Sequence, residues 1–257
     1  MGTSSSLVVI GLSLMALLLG SCSSRTDAND VLVEARRLTA ERKFEQALEK
    51  HIWFHEHALK SQPSLYGVRL SIALEDWVVL GNQYPEALVA LRKIRDQAAV
   101  EFLAHPTQKG LFEDYQAINA ALNESAETVK FYRALGLVSS DLASSLWPQV
   151  CPDLVAAGEW VLARRHLGEP KSRLAAIKQR LDTGRLAGKV ADFMWDSDVA
   201  ERAVELGFVN EVVQLIQVLS RAGDITAAQE IQREALASVD SPDIRDVFKQ
   251  LAVEPRD

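Results

Sequence analysis

His51 and His55 lie four residues apart, so on a helix their rings share a face and could hold one metal ion. His57 follows two positions later and points elsewhere. After His55-Glu56 the chain has Leu59 where a zinc-protease helix carries its second His, so that motif is absent. The competing account gives His51 the packing position of a second helix, with Trp53 and Phe54 filling the seams beside it. Packing is the reading adopted. Metal binding or metal-assisted catalysis at His51 and His55 stands as the alternative. Gly184-Arg185-Leu186-Ala187-Gly188-Lys189-Val190 looks like a phosphate loop, but three residues separate the glycines where four are needed. Val190 also replaces the Ser or Thr that would hold magnesium. Neither a G-x-S-x-G nucleophile elbow nor a dinucleotide glycine fingerprint occurs. Cys151, between Val150 and Pro152, has no neighbouring His or Asp in sequence and reads as a small buried apolar residue. No enzyme and no cofactor is therefore expected.

The elements that would position such residues are helical. In 257 residues there are only 13 Gly and 8 Pro, too little turn chemistry for a many-stranded sheet protein. With 48% hydrophobic and 25% charged residues the chain has the composition of a packed globular protein, not of a disordered or multi-span membrane one. A net charge of −7 with no basic block argues against nucleic acid as a partner. From Asp27 onward the apolar spacing follows a 3.6-residue period, without a run of strand-like alternation.

The first residues read as an address. Leu7 to Leu19 is an apolar run of 13 residues, too short for a helix that needs about 20 to cross a bilayer but suited to the h-region of a signal peptide. Leu19-Gly20-Ser21-Cys22 resembles the lipobox of bacterial lipoproteins, in which Cys22 would be acylated and become the first mature residue. The n-region, Met1 to Ser6, carries no Lys or Arg, and the same residues fit a myristoylation pattern. The lipoprotein reading is preferred because an apolar run comes directly after them. Ser23 after the Cys is similar to the sorting signal for the outer membrane, facing the periplasm. Expected boundaries are a signal peptide over 1–21 and a tether over 22–26.

One signature recurs in the mature chain. Phe44 and Ala47, Tyr84 and Ala87, Trp160 and Ala163, and Ile225 and Ala228 each pair a large residue with an Ala three later. The large residue would plug a hairpin corner, and the Ala would let two helices approach. This pattern resembles the tetratricopeptide repeat family, and Trp147, sixteen residues before Ala163, falls where that family often has Trp. The resemblance implies an all-α fold, a helical-hairpin (tetratricopeptide-like) solenoid over about 27–252. The 76 residues from Ala87 to Ala163 leave room for one degenerate pair, breaking near Asn123-Glu124-Ser125. Gly168-Glu169-Pro170 and Gly184 to Gly188 interrupt the rhythm, so N-terminal repeats are expected over 27–167 and C-terminal repeats over 168–257. Ser241-Pro242-Asp243 marks the start of a closing helix through Leu251.

The family resemblance implies an adaptor that holds a partner protein or peptide at the cell envelope, on the first helices of the pairs. A purely structural envelope component is the other open reading. Counting back from Ala87 gives the stripe Arg69, Ile72 and Asp76. Counting back from Ala228 gives Asn210, Val213, Gln217 and Arg221. Spacings of three and four put each set on one helix face. Arg69→Glu with Arg221→Glu is accordingly expected to weaken partner capture while leaving stability nearly unchanged.

Overall fold

Apolar side chains at spacings of three and four need a helix to share a face, and the backbone obeys that pattern. The computed structural model describes residues 27–191, 197–239, 241–251 and 253. The expected signal peptide over 1–21 and the expected tether over 22–26, with Cys22, lie outside them. Among the described residues all regular structure is helical, thirteen α-helices and one 3-10 turn. The chain forms two compact units that divide between Pro63 and Ser64.

The first unit pairs α1 (Ala28–Ala40) with α2 (Phe44–Ser61). The Asp27 carboxylate caps α1 by accepting the Asn29 amide at 2.8 Å, satisfying one of the donors a helix start leaves open. Along α1 the residues Val31, Leu32, Ala35 and Leu38 are buried, one stripe of a 3.6-residue period. Ala47, His51, Phe54 and Ala58 of α2 are buried at spacings of four, three and four. Ala35, Ala47 and Ala58 have no exposed surface at all, since small residues there let two backbones come close.

The second unit begins with the short α3 (Tyr66–Arg69) and continues with α4 (Ile72–Gly81), α5 (Pro85–Ala104), α6 (Lys109–Ala121) and α7 (Ser125–Val138). Next come α8 (Ser140–Ala156), α9 (Trp160–Leu167), α10 (Pro170–Ala191), α11 (Ser197–Arg221), α12 (Ile225–Ala237) and α13 (Pro242–Gln250). From α3 to α9 each helix packs on the next. After α9 the order changes: α9 packs on α11, and α10 on both α11 and α12. Helices that are not neighbours in sequence also meet, α4 with α6 and α8 with α11.

One turn recurs with the same backbone geometry. Arg42, Asn123, Gly158 and Gly223 all have positive φ, between 57° and 90°. At each, the next amide reaches back to the carbonyl five residues earlier: Lys43 to Leu38, Glu124 to Asn119, Glu159 to Leu154 and Asp224 to Leu219, at 2.7–2.9 Å. This is the Schellman closure, which satisfies the last carbonyls of a helix. The turn at Asn123 is the break expected near Asn123-Glu124-Ser125, where α6 ends and α7 begins. The turn before Pro85 closes without positive φ, through the Gln83 and Tyr84 amides to the Leu80 carbonyl.

The four Ala residues of the recurring signature, Ala47, Ala87, Ala163 and Ala228, are each fully buried. Two of their carbonyls take an indole proton: Trp77 Nε1 donates to Ala87 at 2.9 Å and Trp147 Nε1 to Ala163 at 2.8 Å. A buried indole N–H needs such a partner. Tyr84, Phe44, Trp160 and Ile225 are only half-buried, whereas Trp77 is 1% exposed. Trp77, not Tyr84, therefore fills the α4–α5 corner.

The break expected between 167 and 168 lies inside the second unit. Gly168, with φ of 79°, and Glu169 do separate α9 from α10, yet one buried cluster runs through Leu162 and Leu167 to Leu174, Ile177 and Phe248. Gly184 does not break the chain. It lies within α10, where a Cβ would sit 2.7 Å from Val204 Cγ1 on α11, so this glycine permits close approach. The phosphate-loop lookalike is thus helix. Residues 180 and 185 pair with 211 and 205 respectively, so α10 and α11 run antiparallel.

Candidate functional site

The surface singled out in the sequence falls on α3, α4 and α11. Arg69, Ile72 and Asp76 do not form a continuous stripe. Arg69 ends α3, and the backbone turns at Leu70 and Ser71 before α4 starts at Ile72. Arg69 and Asp114 of α6 form a two-pronged ion pair, one prong at 2.9 Å. Their side chains are only 11% and 13% exposed. This corrects the reading of Arg69 as an open surface cation: it is a strut between α3 and α6. Ile72 is exposed and Asp76 half-buried.

Further polar ties join α6 to α8. Gln116 Nε2 donates to the Gln149 carbonyl at 2.8 Å and to Asp153 Oδ2 at 2.7 Å, and Gln149 Nε2 donates to Glu113 Oε1 at 2.9 Å. Burial pushes the Asp153 carboxyl above its usual range, with the Gln116 bond opposing. Sequence reasoning passed over Asp114, Gln116, Gln149 and Asp153. The spacing of four on α8 was visible, but the partners sit 33 to 45 residues away and no local pattern names them.

The second stripe is different. Asn210, Val213, Gln217 and Arg221 lie on the unbroken α11. Asn210 and Arg221 are exposed, Val213 and Gln217 half-buried. Among the described residues the side chains of Asn210, Gln217 and Arg221 make no hydrogen bond or ion pair. Leu206, four residues before Asn210, is 57% exposed and extends the same face. Beside it α13 leaves a cleft of about 390 Å³.

No protein-family model, curated protein or solved structure matches this chain. The geometry of its own side chains is therefore the guide to its function.

His51 and His55 sit on the packing side of α2, 2% and 7% exposed. Burial, with the charge of Arg36 adding to it, lowers His51 to about 4. His57 lies at the half-exposed side, its Nδ1 3.0 Å from the Trp53 carbonyl and its ring stacked on the Trp53 ring at 5.3 Å. Among the described residues no three His, Cys, Asp or Glu side chains converge to hold a metal ion. Cys151 is buried against the α8 packing face, and desolvation pushes its thiol up to about 12, so it carries almost no thiolate at neutral pH.

Arg173 has a structural task. Its guanidinium lies 4.9 Å over the Trp147 ring and donates to the Leu167 carbonyl at 2.9 Å, at the open end of α9. Its Nη2 also lies 3.5 Å from the Ser144 carbonyl. Pro148 stands four residues on and has no N–H to offer that oxygen. One arginine thus serves two carbonyls that the helices leave without a donor.

Proposed function

We propose that this chain is an outer-membrane lipoprotein, anchored through Cys22, whose body is a tetratricopeptide-like helical scaffold. It holds a partner protein or peptide in the periplasm on the helices that open its pairs. The observation that carries the reading is recurrence. Four turns share one Schellman closure at Arg42, Asn123, Gly158 and Gly223, each just before the next helix starts. Two of the signature alanines also receive an indole N–H. A repeated backbone device with variable surface residues is what a modular binding scaffold needs. The α11 face, with polar groups that make no bond among the described residues, is the part best suited to a partner.

The test uses the full chain expressed in a Gram-negative cell. Wild type should partition with membranes and gain the mass of a lipid-modified Cys. Cys22→Ala should stay uncleaved or appear soluble. In-cell crosslinking of the acylated form should then capture a discrete partner that Asn210→Lys with Gln217→Lys releases. Unchanged mass and membrane association in Cys22→Ala would end the lipoprotein reading. Capture indifferent to the α11 changes would end the assignment of the binding face.

A further inference from the structure

The cleft beside α11 has a chemistry of its own. Its floor is Leu206 and Val209 of α11 with Ile244 and Val247 of α13. Leu206 and Val247 are 57% and 42% exposed, large apolar side chains left to water on facing walls. The α11 segment Glu201–Arg221 is apolar enough to pass for a membrane span, yet less than half of it is buried. Carboxylates flank the floor on both walls: Glu201 and Glu205 on α11 and Asp243 on α13. Arg185 of α10 already neutralises Glu205, at 2.6 Å. Glu201 and Asp243 are exposed and make no ion pair among the described residues. Among the described lining residues Arg202 is the one cation.

We infer that the α11–α13 cleft binds a short amphipathic helix whose apolar face is flanked by Lys or Arg. The inference rests on the scaffold reading and names the partner's chemistry. Three observations select it. The apolar floor calls for two or three aliphatic side chains, and about 390 Å³ accommodates them at the density of a packed interior. The α11 wall lies inside a helix whose backbone groups are bonded within itself, and the α13 wall is the start of a helix with no strand edge, so an extended peptide would find no ladder to join. A helical partner satisfies its own backbone. Glu201 and Asp243, on opposite walls, complement cations on either side of an apolar stripe. Leu206 continues into Asn210, Val213 and Gln217, so a longer helix can run along α11.

The experiment uses the full chain and two fluorescein-labelled designed helical peptides. Both carry Leu at i, i+3, i+4 and i+7; one has Lys flanks, the other Glu flanks. Fluorescence anisotropy should show binding of the Lys-flanked peptide and at least tenfold weaker binding of the Glu-flanked one. Leu206→Asp with Val247→Asp, both at exposed positions, should weaken the Lys-flanked peptide at least tenfold while the melting temperature holds. Glu201→Lys with Asp243→Lys should reverse the preference between peptides. Equal binding of both peptides, or binding that survives Leu206→Asp with Val247→Asp, overturns the inference. Concentration-dependent self-association that Leu206→Asp abolishes also overturns it, in favour of a second copy as occupant. Loss of peptide binding in Asn210→Lys with Gln217→Lys but not in the cleft variants overturns the cleft while leaving the α11 scaffold reading standing.

Discussion

The stripe at α3–α4 and the stripe on α11 have the same spacing in sequence and opposite fates in the fold. At the first, the helix stops after Arg69, and the guanidinium turns to Asp114 on α6. At the second, twenty-five residues of helix run without a break, and among the described residues Asn210, Gln217 and Arg221 stay outside the internal network. Spacing determines which residues share a face only while the helix lasts. Continuity, not residue type, separates a strut from a candidate binding surface. In the first unit spacing alone left both packing, the reading adopted, and a ligand role open for His51, which is buried on the packing side of α2.

The sharpest way to break the comparison is Arg69→Glu. If Arg69 is a strut, the change sets two carboxylates face to face in a site only 11–13% exposed. Removing one partner of a buried pair costs about 3–5 kcal/mol, and the residual water contact puts this pair near the lower figure. Urea denaturation should report a loss of about 3 kcal/mol, and Arg69→Glu with Asp114→Arg should recover part of it. A loss under about 0.5 kcal/mol, the range of surface substitutions, would return Arg69 to the surface. The expectation drawn from spacing, that Arg69→Glu spares stability, is thereby reversed.

Acid should separate absorbed histidines from exposed ones. His51 is held near 4 in the fold, against about 6.5 in an unfolded chain. Between those values the unfolded state binds more protons, so stability rises with pH. The contribution is complete above about pH 6.5 and is lost as pH falls through about 4. A gap of about 2.5 units corresponds to about 3 kcal/mol. His166, buried in the second unit with its ring edge-on to Tyr132 at 5.6 Å, is lowered in the same direction by burial, then by Arg165. His51→Leu should flatten the acid limb of the first unit's stability curve. An unchanged limb would mean that His51 is open to water.

The turns sharpen the comparison at smaller scale. Gly158 and Gly223 adopt positive φ at no steric penalty, while Arg42 does so with a side chain, at φ of 60°. A left-handed residue other than Gly costs about 1–2 kcal/mol, partly offset by the greater freedom of an unfolded Gly. Arg42→Gly should therefore stabilise by roughly 0.5–1 kcal/mol and Gly223→Ala should destabilise by about 1 kcal/mol. Thermal melts of each variant check the sign. Destabilisation by Arg42→Gly would show that its side chain holds something the turn needs.

Local patterns carried the helices and most of their ends. The buried alanines, the α6–α7 break at Asn123 and the start of α13 at Pro242 come from periodicity, turn residues and N-terminal proline. Gly184 misled because a glycine that admits Val204 is spelled the same as one that ends a helix. The Leu70–Ser71 break left no Gly or Pro to mark it. Of the candidate surface, the α11 face was legible since it lies on one continuous helix. The cleft was not, because α13 comes to it from about 40 residues away and only tertiary packing brings Val247 beside Leu206.

The smallest expected effect is the most telling for function. Arg221 is exposed, stands in the last turn of α11 and makes no ion pair among the described residues. Its charge is favourable at a helix C-terminus by about 0.3–1 kcal/mol at low salt, so Arg221→Glu should cost about 0.5 kcal/mol and less in high salt. Asn210→Ala, exposed mid-helix and unbonded, should change stability by no more than about 0.5 kcal/mol in either direction. Together they should leave the urea midpoint close to wild type while Arg69→Glu alone shifts it strongly. If the α11 changes proved as costly as the Arg69 change, the α11 face would have to be packed against something within the chain. Its polar residues would then be struts as well, and no free face would remain on α11 for a partner.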